Sequence, residues 1–173
     1  MLKYCLYKWN ENKDKLEAKL HTDKKIYECD YKYLVKLVVD VILNDSLGEL
    51  DYHPDYYWNS EKITEIDNGD YQGTLLFLIP QETYQPSEYE YLMTYVGYGS
   101  CCVCDTLQHI QSIYWGDDEE DDSEGSKKLK EKAIKEYFTL CKDILTNMIK
   151  PYNGGWRNDD RFETVTMEVA DEN

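Results

Sequence analysis

The sequence predicts an α+β fold: an antiparallel sheet of about four strands with helices packed on one face, in the order α-α-β-β-β-α-α-β. Three observations carry this. Three short runs of extended character lie between residues 62 and 99, joined by connections too short for parallel crossovers. Segments with helical spacing of apolar residues flank those runs on both sides. A chain of 173 residues with 42% hydrophobic side chains suffices for one core, so 1–173 reads as a single domain.

The first element is a short helix over Glu11–Leu20, rich in strong helix formers, with Leu16 and Leu20 one turn apart. "CDYKYLVKLVVDVILND" follows with Leu34, Val38, Val41, Ile42 and Asp45 at helical spacing and Leu37 widening the stripe. Asp30 is its expected N-cap. Its β-branched residues lower intrinsic propensity, so burial must hold it. "ELDYHPDYYWNS" is read as an ordered aromatic and acidic loop broken by Pro54.

"KITEID" is a short strand, and "NGD" is a turn, because Asn and Gly tolerate positive φ. "YQGTLLFLIP" is the central strand, ended by Pro80. In "EYEYLMTYVGYG", Tyr89, Tyr91, Met93 and Tyr95 share one face, with Leu92 and Val96 on the other. "DTLQHIQSIYW" is a helix whose Asp105 and Gln108 have the form of a capping box.

Residues 116–126, "GDDEEDDSEGS", read as a mobile acidic loop. The next segment, to Lys150, is the clearest helix, with Ile134, Tyr137, Cys141, Ile144, Leu145 and Met148 in one stripe and Pro151 as its stop. "RFETVTMEV" is a last edge strand.

Charge is uneven along this chain of formal net charge −16. Residues 46–125 carry 18 acids against one lysine, Lys62, and no arginine. Residues 126–150 reverse the sign, with seven lysines against three acids. Such an acidic block repels nucleic acid and attracts basic protein surfaces. The expected partner is therefore the basic surface of a protein, a nucleic-acid-binding nuclease among the candidates, with no direct nucleic acid and no membrane. The longest apolar run, "LLFLI", is far below the ~20 residues a membrane helix needs. Six cysteines behind an N-terminus without signal-peptide character point to a reducing cytoplasm.

No nucleophile-base pair, Walker A, H-E-x-x-H or G-x-G-x-x-G is present, so the chain reads more as a binding protein than as an enzyme. Asp51, Asp55, Asp67, Asp70, Glu82, Glu88, Glu90 and the run Asp117, Asp118, Glu119, Glu120 are the expected partner-binding acids. Tyr56, Tyr57 and Trp58 are the expected aromatic anchors.

Three cysteines crowd "YGSCCVCDTLQ". A packed corner between strand and helix, with small residues and sulfur filling the core, is the first reading. The alternative is a zinc- or thiol-dependent site on Cys101 and Cys104, with His109, His53, Cys102 or Cys141 completing a metal shell. No second Cys-x-x-Cys or paired histidine supports zinc. A thiol at a helix start is chemically suited to redox work, but two helices precede the sheet where a thioredoxin-like fold would open β-α-β.

"DNGDYQGTLLFLIP" and "YVGYGSCCVCDTLQHIQ" together resemble a group of small uncharacterised phage- and prophage-encoded acidic proteins. These share "GDYQGTLLF…IP" and "YGSCxxCDTLQ" stretches, and the resemblance spans about residues 30–113. It makes Cys101 and Cys104 the matched pair, with Cys102 standing where a small polar residue is usual. It implies an accessory protein of the bacterial host cytoplasm and supplies no catalytic residues. Joined to the acidity, it leads to an inhibitor of a host defence system, anti-CRISPR-like, acting as an acidic nucleic-acid mimic.

Overall fold

The computed structural model of the protein describes residues 2–44, 57–114, 123–151 and 162–164. Its order is helix α1 (Leu2–Thr22), helix α2 (Tyr31–Val38), strands β1 (Thr64–Asp67), β2 (Gly73–Pro80) and β3 (Tyr91–Tyr98). Helices α3 (Thr106–Tyr114) and α4 (Glu124–Thr146) and strands β4 (Ile149–Pro151) and β5 (Phe162–Thr164) complete it. The strands form one antiparallel sheet in the order β1-β2-β3-β4-β5. The fold is α+β, as the sequence predicts.

α1 is twice the length expected. Its first half mixes Leu and Lys with the weaker formers Tyr, Cys, Trp and Asn, which hid it from propensity, but Cys5, Trp9, Asn12, Leu16 and Leu20 fall three or four residues apart and are buried. Trp9 lies on Phe138 of α4 with ring centroids 5.1 Å apart. Asp30 caps α2 through Tyr33 N–H at 2.7 Å, as predicted. α2 then continues through a π-helical turn, Val39–Leu43, all of whose apolar residues except Val41 are fully buried. The wider turn lets Asn44 N–H donate to Val39 carbonyl at 3.0 Å. Asn44 then grips the backbone of Trp58 at two points, accepting from its N–H (3.1 Å) and donating to its carbonyl (2.8 Å).

One sheet face presents Phe77, Ile79, Leu92, Thr94 and Val96, all buried, to the helical layer. Thr94 Oγ1 donates to the Ile144 carbonyl at 2.7 Å, satisfying one of the acceptors left over at the end of α4. The predicted α4 stripe of Ile134, Tyr137, Cys141, Ile144, Leu145 and Met148 is buried throughout.

Two boundaries differ from expectation. Ile149 and Lys150, expected at the end of the last helix, join Pro151 in β4, so the sheet has five strands among the described residues. Met148 N–H turns back to Leu145 carbonyl, Ile149 pairs with Met93, and Pro151 has no N–H with which to prolong a helix. At the other end, α4 begins at Glu124 with Ser123 as N-cap, so residues 124–126 leave the expected loop. Residues 116–122, and the predicted strand beyond Thr164, lie outside the described residues.

Candidate functional site

Strand direction sorts the expected site residues. β1 and β3 run antiparallel to β2, so the β1–β2 turn and the exit of β3 share one end of the sheet. The 81–90 connection lies at the opposite end, roughly 23 Å away along eight residues of strand. Asp67, Asp70, Cys101 and Cys104 belong to the first end; Glu82, Glu88 and Glu90 belong to the second. Asp51, Asp55 and Tyr56, with Asp117, Asp118, Glu119 and Glu120, lie outside the described residues.

Several of these groups serve local structure. Asp67 Oδ1 accepts from Gly69 N–H (3.0 Å) and from Tyr98 hydroxyl (2.8 Å). Gly69 is needed for space rather than for a left-handed backbone, since a Cβ there would sit 2.2 Å from the Gln72 carbonyl oxygen. Glu82 pairs with the Asn59 amide, and Glu90 accepts from Ser87 N–H at 2.7 Å. Trp58 is 0% exposed, which removes it from the expected anchors; Tyr57 beside it is exposed.

Sequence reasoning missed other surface groups. Glu61 and Glu65 join Asp67 along the edge of the sheet, with Glu65 and Asp67 on one side of β1 about 6.6 Å apart. Tyr71 is 82% exposed. Glu61 pairs with Lys36 of α2, whereas Glu65, Asp70 and Glu88 make no ion pair among the described residues.

The cysteine corner is built around Asp105, which is buried. Its carboxylate accepts from Gly99 N–H (3.0 Å), Gln108 N–H (2.8 Å) and the Tyr31 hydroxyl (3.1 Å). Tyr31 Oη in turn accepts from Leu107 N–H at 3.1 Å. Asp105 thus caps α3 as predicted, but the capping box is not closed: the Gln108 side chain donates to Gly99 carbonyl at 3.0 Å instead. The result ties the end of β3, the start of α3 and the start of α2 to one carboxylate.

Between these anchors the chain turns through residues 100–104. Cys104 N–H donates to Cys101 carbonyl at 3.0 Å, and Cys101 N–H donates to Cys104 Sγ at 3.2 Å. The two sulfurs are 2.9 Å apart. Gly99 is required here, because a Cβ would fall 2.4 Å from Cys104 carbonyl oxygen and 2.6 Å from its sulfur. Cys101, Cys102 and Cys104 are all exposed, so the corner is not a packed one and the sulfur does not fill the core. The Cys104 hydrogen bond and the backbone N–H groups of Val103 and Cys104 hold the Cys101 thiol below its ordinary pKa.

Cys141, by contrast, is buried as expected. His109, a candidate third zinc ligand, is turned to α4, with Nε2 3.7 Å from Glu136 Oε2. His53 lies outside the described residues. Among the described residues, no set of three or more His, Cys, Asp or Glu side chains is placed to hold a metal ion. No described helix is long and apolar enough to cross a membrane. No protein-family model, curated protein or solved structure matches this chain.

Proposed function

We propose that the protein acts by binding the cationic surface of another protein through the acidic edge of its sheet. The observation that carries this reading is the charge of residues 57–114. Seven surface carboxylates, Glu61, Glu65, Asp67, Asp70, Glu82, Glu88 and Glu90, stand there against one lysine, Lys62. They run along β1 and across both sheet ends, with Tyr57, Tyr71, Tyr84 and Tyr89 exposed among them. Anionic groups interleaved with rigid aromatic area suit a basic counterpart, which they attract at long range and then contact.

The sharpest form is an acidic nucleic-acid mimic that occupies a lysine- and arginine-lined channel of a host nuclease. The resemblance to phage-encoded proteins supports placing it in a bacterial host cytoplasm, as an inhibitor of host defence. Release of counterions from the paired charges would then supply part of the affinity.

The test uses Glu65→Lys, Asp70→Lys and Glu88→Lys combined, because none of the three supports the fold by a hydrogen bond among the described residues. The expected outcome is capture of a nucleic-acid-binding protein from host lysate by the wild type, competed by duplex DNA and by salt. The triple variant should associate roughly 10- to 100-fold more slowly at low salt. Capture indifferent to salt, DNA and charge reversal overturns the reading.

A further inference from the structure

We propose that Cys101 and Cys104 form a thiol–disulfide exchange site, one that takes a low-molecular-weight disulfide as oxidant and cycles between dithiol and intramolecular disulfide. The site stands whether or not the acidic edge binds a partner. Its first support is contact: the sulfurs lie 2.9 Å apart, so a bond of about 2.04 Å requires them to close by only ~0.9 Å. Its second is access. Both cysteines are exposed, and Val103 between them is 92% exposed, so an oxidant can reach either sulfur.

The third support is a rigid frame around a short turn. Asp105 holds Gly99 on one side of the turn and Gln108 on the other, while Gly99 gives Cys104 room to sit against the backbone. Cys102 is exposed but makes no sulfur contact among the described residues, which leaves the pairing unambiguous.

The roles follow from the donors. The Cys101 sulfur faces the Cys104 thiol and backbone N–H groups that favour its thiolate, so Cys101 attacks first. Its thiolate adds to one sulfur of RSSR; the S–S bond breaks, RS⁻ leaves, and Cys101 carries a mixed disulfide. Cys104, losing its proton, then attacks Cys101 Sγ and expels the second RS⁻. Two electrons pass from the cysteines to the oxidant, and the two protons the cysteines lose end on the two released thiolates as RSH. Excess RSH reverses both steps.

The experiment equilibrates the full chain with glutathione and glutathione disulfide over a range of ratios, quenches with acid, alkylates free thiols and maps peptides by mass. A Cys101–Cys104 disulfide with Cys102 still alkylatable is expected. Cys102→Ser should follow the same oxidation curve within about twofold, and Cys104→Ser should trap a glutathione adduct on Cys101. Three results overturn the proposal: a pair that stays reduced at every ratio, a disulfide to Cys102 instead, or stoichiometric metal on the purified chain that blocks oxidation. Matching far-UV circular dichroism of the serine variants ties any loss to the sulfur rather than to folding.

Discussion

Cys101 and Cys104 at the β3–α3 corner, and Cys29 before α2 with Cys141 on the buried stripe of α4, are the same residue type in opposite settings. The corner thiols face solvent and one another, and donors surround the Cys101 sulfur. The core thiols are buried. Burial pushes Cys29 up to about 12, with Asp30 adding to it, and it raises Cys141 in the same direction. For a thiolate in the core the loss of hydration outweighs the backbone hydrogen bond Cys29 has, whereas at the corner water and amides both remain. Reactivity therefore belongs to the surroundings of each sulfur and not to the cysteine count.

The largest effect that could break this contrast is in alkylation rate. Under native conditions Cys101 should react on the order of 1000-fold faster than Cys29 and Cys141, which are reached only through opening of the core. Isotope-coded iodoacetamide with peptide mapping reads all of these at once, and comparable rates would erase the distinction. Denaturant should abolish it.

The next effect concerns the frame. Asp105→Ala removes one carboxylate that accepts from Gly99, Gln108 and Tyr31. Three donors in a largely buried setting then lose their partner, and the expected cost is about 2–4 kcal/mol in denaturant unfolding. A change below about 0.5 kcal/mol would mean that the corner is held by something else.

The smallest effect sharpens the comparison within the corner. The Cys101 pKa is lowered, so its thiolate persists to lower pH than that of an ordinary thiol near ~8.5. The pH midpoint of Cys101 alkylation should fall below that value. Cys104→Ala, which removes the first cause of the shift, should move the midpoint upward. A midpoint unmoved by that substitution would separate the two sulfurs chemically.

Much of the fold was legible because apolar spacing survives without knowledge of neighbours. The stripe from Ile134 to Met148 and the alternation of Leu92 and Val96 each identified their element and its buried face. The first half of α1 was not legible, since Tyr, Cys and Trp carry little helix preference and only contact with Phe138 and its surroundings reveals the purpose of Trp9. β4 was hidden because Ile149 and Lys150 continue a helical pattern whose end is set by pairing with Met93.

The site was legible to a similar degree. The exact corner holding the cysteines could be placed between a strand and a capped helix, but their exposure could not, because cysteine is among the residues most often buried. Trp58 misled for the opposite reason. An acidic, aromatic stretch reads as surface, yet the Asn44 clamp draws the Trp58 backbone inward and its ring is covered.

By itself the sequence determined the α+β class, the caps at Asp30 and Asp105, the helical stripe of α4 and the acidic bias of the middle of the chain. These are local matters: periodicity, hydrogen-bonding reach over three residues, and the sum of charges. Only the tertiary structure decided that the carboxylates divide between two ends and one edge of the sheet, that Trp58 is covered, and that two sulfurs meet in the open. Those outcomes depend on strand direction and on contacts between residues far apart in the chain, such as Tyr31 with Asp105, which no local pattern encodes.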